Sequence, residues 1–352
     1  MLYQLSLIVL ILVSILLSAL CDGPHGPGGA SSPMSYGAGG NLAGVPIDEV
    51  RGYYKREHSL IKPYQGAGMT VPNWDFLGSA IVTPQYVRLT ADVQSRQGAI
   101  WNVFPVKSRD WEVVLTFKVS GSTGELFGDG MSFWYAKERS QIGDVFGNKN
   151  YFHGLAIFLD TYSNHNGPHN HGHPYVSAMV NNGTLAYDHD RDGTHTQLAG
   201  CETKFRNKDY DTSLLIRYVD DVVSVYHDIK NEHKWEPCFS VPGVRLPSGY
   251  YFGVSAATGD LSDNHDVIAV RTYELDIMRA EKQEDADRNN MEPFAQFHAA
   301  PRDHISDPSP SKLSTLKTIF LIIVAIAGVG FFLFAGVTIL QKRQERSRKR
   351  FY

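Results

Sequence analysis

Only three cysteines occur in 352 residues, which limits how the chain can be cross-linked. Cys21 lies at the edge of an N-terminal apolar run, so Cys201 and Cys238 remain as one pair, and no cysteine beyond residue 278 is left to join chains covalently. A monomer is the expectation. Long helical periodicity is also missing between residues 53 and 278, which leaves strands as the building units there. A basic surface is lacking too. The net charge is −4, and the last twelve residues carry six basic side chains against Glu345, so the remainder is more acidic than the total suggests. That balance excludes a nucleic-acid footprint; it fits a domain that concentrates cations and equally fits ordinary solubility. Lys and Arg are absent from residues 1–4, where a secretory signal usually carries one.

Apolar runs mark both ends. Residues 5–20 are too short to span a bilayer comfortably and are followed by small residues, the pattern of a signal peptide over 1–21. Residues 318–340 are uncharged and long enough to cross, and the basic segment 341–352 follows at once, which places it in the cytosol. The expected organisation is a disordered Gly-, Pro- and Ser-rich segment over 22–52, a luminal domain over 53–278, and a charged stalk over 279–317, in part helical near 280–290. A single-pass type I membrane protein results. In an oxidising lumen Cys201 and Cys238 are expected to form a disulfide. Asn182, followed by Gly183 and Thr184, is an acceptor for N-glycosylation on the same side.

Inside the domain the period is two. Runs rich in strand formers cover 111–119, 131–135, 155–159, 175–180, 214–219 and 222–226. Asn181, Asn182 and Gly183 read as a hairpin turn before Leu185, and Asp220 and Asp221 read as another between Val219 and Val222. An all-β, antiparallel two-sheet sandwich with a C-terminal transmembrane helix is the expected fold.

Hard oxygen donors gather in the loops. Asp160, Tyr162 and Asn164 follow one strand-like run, Asp129 stands between Gly128 and Gly130, and Asp188 to Gly193 supply further carboxylates and His189. Carboxylate and carbonyl oxygens on flexible loops are what calcium takes, and a carboxylate beside an amide suits a hydroxylated ligand. Asp188, Asp190, Asp192 and Gly193 also match the start of an EF-hand loop, but its twelfth position is Ala199, where a bidentate acid is required. That assignment fails. A glycoside hydrolase using Asp129 and Asp160 as paired carboxylates, or a membrane adaptor whose loops bind nothing, are the competing readings.

From His58 to Tyr64, through Gly249 to Gly253 and Thr258 to His265, and on to Glu274 to Asp276, the chain resembles the L-type lectins of the early secretory pathway, above all the vesicular integral-membrane lectins and their endoplasmic-reticulum relatives. The resemblance implies a legume-lectin-like sandwich without enzymatic activity that binds high-mannose N-glycans on glycoproteins with Ca2+. It implies calcium ligands at Asp160, the Tyr162 carbonyl, Asn164 and Asp192. Sugar contacts are implied at Asp129, Asn164 and His189, in the loop Gly259, Asp260 and Leu261, and at Ser95. The ending Lys349, Arg350, Phe351 and Tyr352 resembles tails that engage coat proteins, implying residence in membranes of the endoplasmic reticulum, the intermediate compartment and the Golgi.

One segment departs from that family pattern. Residues 165–173 hold His165, His169, His171 and His173 directly after the calcium ligands. Such a cluster can couple ligand release to mild acid or bind zinc, and a solvated loop accounts for the same residues.

Overall fold

A computed structural model of the protein describes residues 51–65, 71–122, 127–164, 171–277, 288–296 and 312–348. Residues 1–50 and 349–352 lie outside them, and with them the expected signal peptide, most of the expected disordered segment, and the sorting tail; His165 and His169 lie outside them as well. Among the described residues two antiparallel sheets form a sandwich. The larger runs, in spatial order, β13 (Glu236–Pro242), β12 (Val222–Asp228), β11 (Thr212–Val219), β6 (Trp111–Ser120), β16 (Asn264–Asp276), β4 (Val87–Thr90) and β3 (Ile81–Val82), with β1 (Arg51–Tyr54) also on β16. The other runs β10 (Ala199–Glu202), β9 (Tyr175–Asn182), β8 (His153–Asp160), β7 (Gly130–Ala136), β15 (Tyr251–Ala257), β5 (Gln97–Asn102) and β2 (Trp74–Gly78).

Alternation is strict in β6, where Trp111, Val113, Leu115, Phe117 and Val119 are buried and the residues between them are only partly so. Its apolar face meets Phe133 and Tyr135 of β7 and Phe252 of β15 around Trp111, at ring separations of 5.0–6.3 Å. This is the expected period-two signature of a half-buried strand. Strands β7 and β8 differ: nearly every residue is buried on both faces. Their outer face carries a second apolar cluster of Trp101, Trp134, Phe152, Phe158, Phe146 and Tyr187, the last two supplied by loops. Those loops lie next to the candidate site.

The turn at Asp220 and Asp221 is confirmed. Both residues are left-handed (φ 49° and 60°), and Val219 pairs with Val222, the geometry of a tight hairpin. The hairpin expected at Asn181 to Gly183 is not formed. The Asn181 side chain binds the Leu185 carbonyl and accepts from the Gly183 and Leu185 amides, turning the chain out of the sheet. Strand β9 instead pairs with β10 after a wide connection that carries His189 and Asp192.

Two expected boundaries also move. Arg51 and Gly52 belong to β1, paired with Asp276 and Leu275, so the domain begins before residue 53. Within the expected stalk residues 288–296 are described and folded, while 279–287, with most of the expected helix, lie outside the described residues: Arg288 is buried and donates to the Tyr218 hydroxyl (3.2 Å) and to Asp221 (2.6 Å), and β17 (Phe294–Ala295) pairs with β14 (Val244–Arg245). A buried guanidinium needs such partners, and they draw the segment onto the domain. The disulfide Cys201–Cys238 joins β10 to β13, edge strands of the two sheets, across 37 residues. Closing a loop of that size contributes about 4 kcal/mol in the chain-entropy account.

Helix α1 (Lys312–Arg348) contains the apolar run expected to span, and its stretch Ile326–Gln344 is long and apolar enough to cross a bilayer. Phe331, Phe332, Leu333 and Phe334 are exposed on it, as lipid-facing side chains are.

His265 in β16 is fully buried, with Nδ1 2.7 Å from the Thr90 hydroxyl. Burial, with a smaller push from Arg206, lowers its pKa to about 3. An unfolded histidine titrates near 6.5, so between those values the unfolded chain binds the extra proton. Its contribution to stability is therefore complete above about pH 7 and is lost progressively as pH falls through about 6.5 toward 3. Thermal unfolding of H265N is expected to depend less steeply on pH between 7 and 5 than wild type; parallel curves would contradict this.

Candidate functional site

The site is assembled by sheet register. Gly130 opens β7 opposite Asp160, the last residue of β8, and Asp160 in turn faces Tyr175 at the start of β9. Asp129, one residue before β7, therefore reaches the same sheet end as Asp160. The Thr161 amide and hydroxyl both donate to the Asp129 carbonyl, at 3.0 and 2.9 Å, and lock the two loops together.

Asp160 and Asp192 are buried carboxylates. Asp160 Oδ1 accepts from the Tyr162 amide (3.1 Å), and Asp192 Oδ1 accepts from the Asn164 amide (2.9 Å). Each thereby ties one oxygen to the loop 161–164. Asp192 stands in the left-handed region (φ 50°), which aspartate tolerates better than most residues, at the end of the short turn His189–Arg191. Ala199, the would-be twelfth EF-hand ligand, is the first residue of β10.

The second oxygens of the two aspartates face His173. Its Nε2 lies 3.8 Å from Asp160 Oδ2 and 3.9 Å from Asp192 Oδ2, with donor atoms of the three groups all within 4.8 Å of one another. Burial pushes the Asp160 carboxyl up to about 6, against the pull of His173. Burial works to lower the His173 pKa, but Asp160 and Asp192 together outweigh it and the net shift is upward. Two buried carboxylates this close favour a positive charge beside them, which a protonated His173 or a bound cation supplies. His173 belongs to the histidine-rich segment and was not among the expected calcium ligands. The register that sets β9 against β8 returns it to Asp160, thirteen residues along the chain, and no spacing rule announces that.

The expected sugar residues border the same cluster. Asp129 is partly buried, and burial, with the nearby Asp260 charge, pushes its pKa up to about 6. Gly259 lies against it: a Cβ there would stand 3.0 Å from Asp129 Oδ2, so a larger residue would press on that carboxylate. The loop 258–261 is held by segment 93–96. The Ser95 amide donates to the Gly259 carbonyl (3.0 Å), Gln94 Nε2 to the Asp260 carbonyl (2.6 Å), and the Thr258 hydroxyl to the Val93 carbonyl (2.7 Å). Leu261 and Tyr162 both pack beside Gly128. The structure thus joins Ser95 to the site through its backbone, while Asn164 presents an exposed side chain.

His189 packs on Tyr187 and Phe146, at ring separations of 4.7 and 5.6 Å, and its Nε2 lies 3.0 Å from the Asp144 carbonyl. A carbonyl only accepts, so Nε2 carries the proton and is already engaged. Burial lowers the ring's pKa, which keeps it neutral and leaves Nδ1 as an acceptor. Toward a ligand the ring therefore offers an acceptor, not a donor.

The hydrolase alternative loses Asp160. One of its oxygens is held by the Tyr162 amide and the other faces His173, so it does not stand opposite Asp129 as a free second carboxylate.

The profile of the legume-like lectin family matches residues 51–282. The mouse vesicular integral-membrane protein VIP36 is 48% identical over 307 residues, 85% of each chain. Human VIP36-like protein is 45% identical over 327 residues, 92% of this chain and 90% of the relative. Among solved structures, the VIP36 exoplasmic/lumenal domain in its Ca2+/Man3GlcNAc-bound form superposes with a TM-score of 0.66 at 51% identity, over 70% of this chain and 100% of that one. This chain belongs to the legume-like lectin family.

Proposed function

We propose that the protein is a calcium-dependent lectin of the secretory membrane system that captures high-mannose N-glycans on glycoproteins. The observation that carries this reading is the buried pair Asp160 and Asp192, each with one oxygen pinned by the loop that bears Tyr162 and Asn164. Calcium-bound and mannose-bound forms of the VIP36 lumenal domain support it. In this reading Asp160, the Tyr162 carbonyl, Asn164 and Asp192 hold Ca2+, which supplies positive charge beside the buried carboxylates and fixes the loop 161–164. Asp129 accepts from sugar hydroxyls, Asn164 and His189 add polar contacts, and Ser95 with Gly259, Asp260 and Leu261 forms the wall. Binding involves no bond breaking. Shallow polar sites hold one sugar weakly, so selectivity arises from an extended glycan touching several loops.

The helix α1 anchors the domain in the membrane. We further assign the tail Lys349 to Tyr352 to coat-protein recognition, with cycling through the endoplasmic reticulum, the intermediate compartment and the Golgi, Asn182 to glycosylation, and the chain to a monomeric state. Asn182 is only partly buried and its Oδ1 accepts from the Thr184 hydroxyl (2.6 Å), within the acceptor triplet itself.

Capture of high-mannose glycans by the full-length protein in detergent is expected to be abolished by chelation and restored by calcium. D129N removes a charged acceptor worth about 1.5–3 kcal/mol, so affinity is expected to fall by about ten- to a hundredfold with the fold retained. Chelator-resistant capture, or undiminished capture by D129N, would contradict the reading, and cleavage of the glycan would revive the hydrolase.

Asp129 also sets a pH dependence. Its pKa is raised, so it is ionised above about 6 and becomes neutral as pH falls through that value, where it ceases to be a charged acceptor. Capture is expected to weaken from pH 7 to 5.5, and D260N, which removes the neighbouring charge, is expected to move the midpoint to lower pH. An unmoved midpoint would place the titration elsewhere.

A further inference from the structure

We propose that Arg206, in the connection between β10 and β11, is a positioning residue for glycan binding: it clamps together the loop that carries Asp129 and the loop that carries Gly259, Asp260 and Leu261. The inference rests on the lectin reading and adds a residue outside the oxygen-rich motifs. Arg206 Nε and Nη2 donate to the two oxygens of Asp263, both at 2.8 Å, and Nη2 also donates to the Ser122 carbonyl at 2.9 Å. The guanidinium carbon sits 3.9 Å from the centre of the Phe127 ring. Phe127 precedes Asp129 by two residues, and Asp263 follows Leu261 by two. One planar group therefore grips both sides of the sugar wall.

The surroundings are fitted to this pair. Asp263 is fully buried, and the Arg206 side chain is 9% exposed. Gly121 leaves the carboxylate its room, since a Cβ there would overlap Asp263 Oδ1. The Gly121 amide donates to Asn207 Oδ1 (3.0 Å), and the Asn207 amide donates to the Val119 carbonyl (2.9 Å), which anchors the backbone beside Arg206 on the end of β6. A buried ion pair adds little net stability, because desolvation offsets its attraction, whereas a forked and stacked guanidinium fixes geometry. That geometry bears directly on the sugar site. Gly259 stands against the Asp129 carboxylate, so a shift of either loop changes the space between acceptor and wall.

The test is calorimetry of the full-length protein in detergent, with mannotriose titrated at saturating calcium and calcium titrated without sugar. R206K keeps a charge beside Asp263 but loses the fork and the stacking, and R206M/D263N removes both charges so that neither is left buried alone. Each is expected to weaken mannotriose about tenfold through misplacement of the two loops. Calcium affinity is expected to change less than about twofold, because Asp160 and Asp192 are tied to the loop 161–164 and not to Arg206. A merely structural role would lower both affinities together, or the unfolding temperature alone. Undiminished mannotriose binding in either folded variant, or a parallel fall of sugar and calcium affinity, would overturn the inference. R206K decides if the double variant does not fold, and unfolding of both would make the pair structural and overturn the inference as well. Wild type that binds no mannotriose with calcium would sink the lectin reading and this inference with it, whereas wild-type binding beside indifferent variants would sink this inference alone.

Discussion

Everything at the binding end of this protein depends on placing two carboxylates, Asp160 and Asp192, in a buried position where neither is tolerated without a counter-charge. Removing such groups from water costs several kcal/mol each, and a cation between them offsets that cost only if the geometry is held. The fold supplies the hold. One oxygen of each aspartate is tied to a backbone amide of the loop 161–164, so whatever binds the two carboxylates also sets that loop. Tyr162 and Asn164, and through Thr161 the Asp129 loop, follow. The proposed metal and sugar sites are therefore one mechanical unit.

The sandwich explains why that unit sits where it does. Strands β7, β8 and β9 are covered on both faces, by the inter-sheet core around Trp111 on one side and by Phe146 and Tyr187, packed on Phe158, on the other. Tyr187 and Phe146 also carry His189, so the apolar cluster and the polar rim share residues. The disulfide between β10 and β13 staples the sheet that bears the site to its partner at their edges. Strand ends deliver Asp129 and Asp160 side by side because their pairing is fixed by a core that tolerates no slip of register.

Much of this was legible in the residues. The strand runs, the turn at Asp220 and Asp221, the disulfide partners and the oxygen-rich loops all express local rules of period, turn chemistry and donor type. What escaped those rules depends on distant contacts. The turn after Asn181 carries the composition of a hairpin, yet its side-chain bonds send the chain outward, and β9 finds β10 instead. Arg288 looks like part of a charged stalk until Tyr218 and Asp221 supply its partners. His173 lies in a run of histidines that composition alone cannot distinguish from solvated loop, and only the β8–β9 register shows that it reaches Asp160. His189 stands out in its motif, but that its free ring nitrogen is an acceptor follows from the Asp144 carbonyl, which is not visible in the motif.

The central claim is that cation and sugar bind to one coupled unit, and coupling in binding is reciprocal. The direct measurement is calcium affinity of the full-length protein by calorimetry, with and without saturating mannotriose. The account predicts that the sugar tightens calcium binding by the same factor by which calcium tightens the sugar. Calcium affinity that is indifferent to the sugar would contradict it, because the two sites would then be neighbours and not one structure.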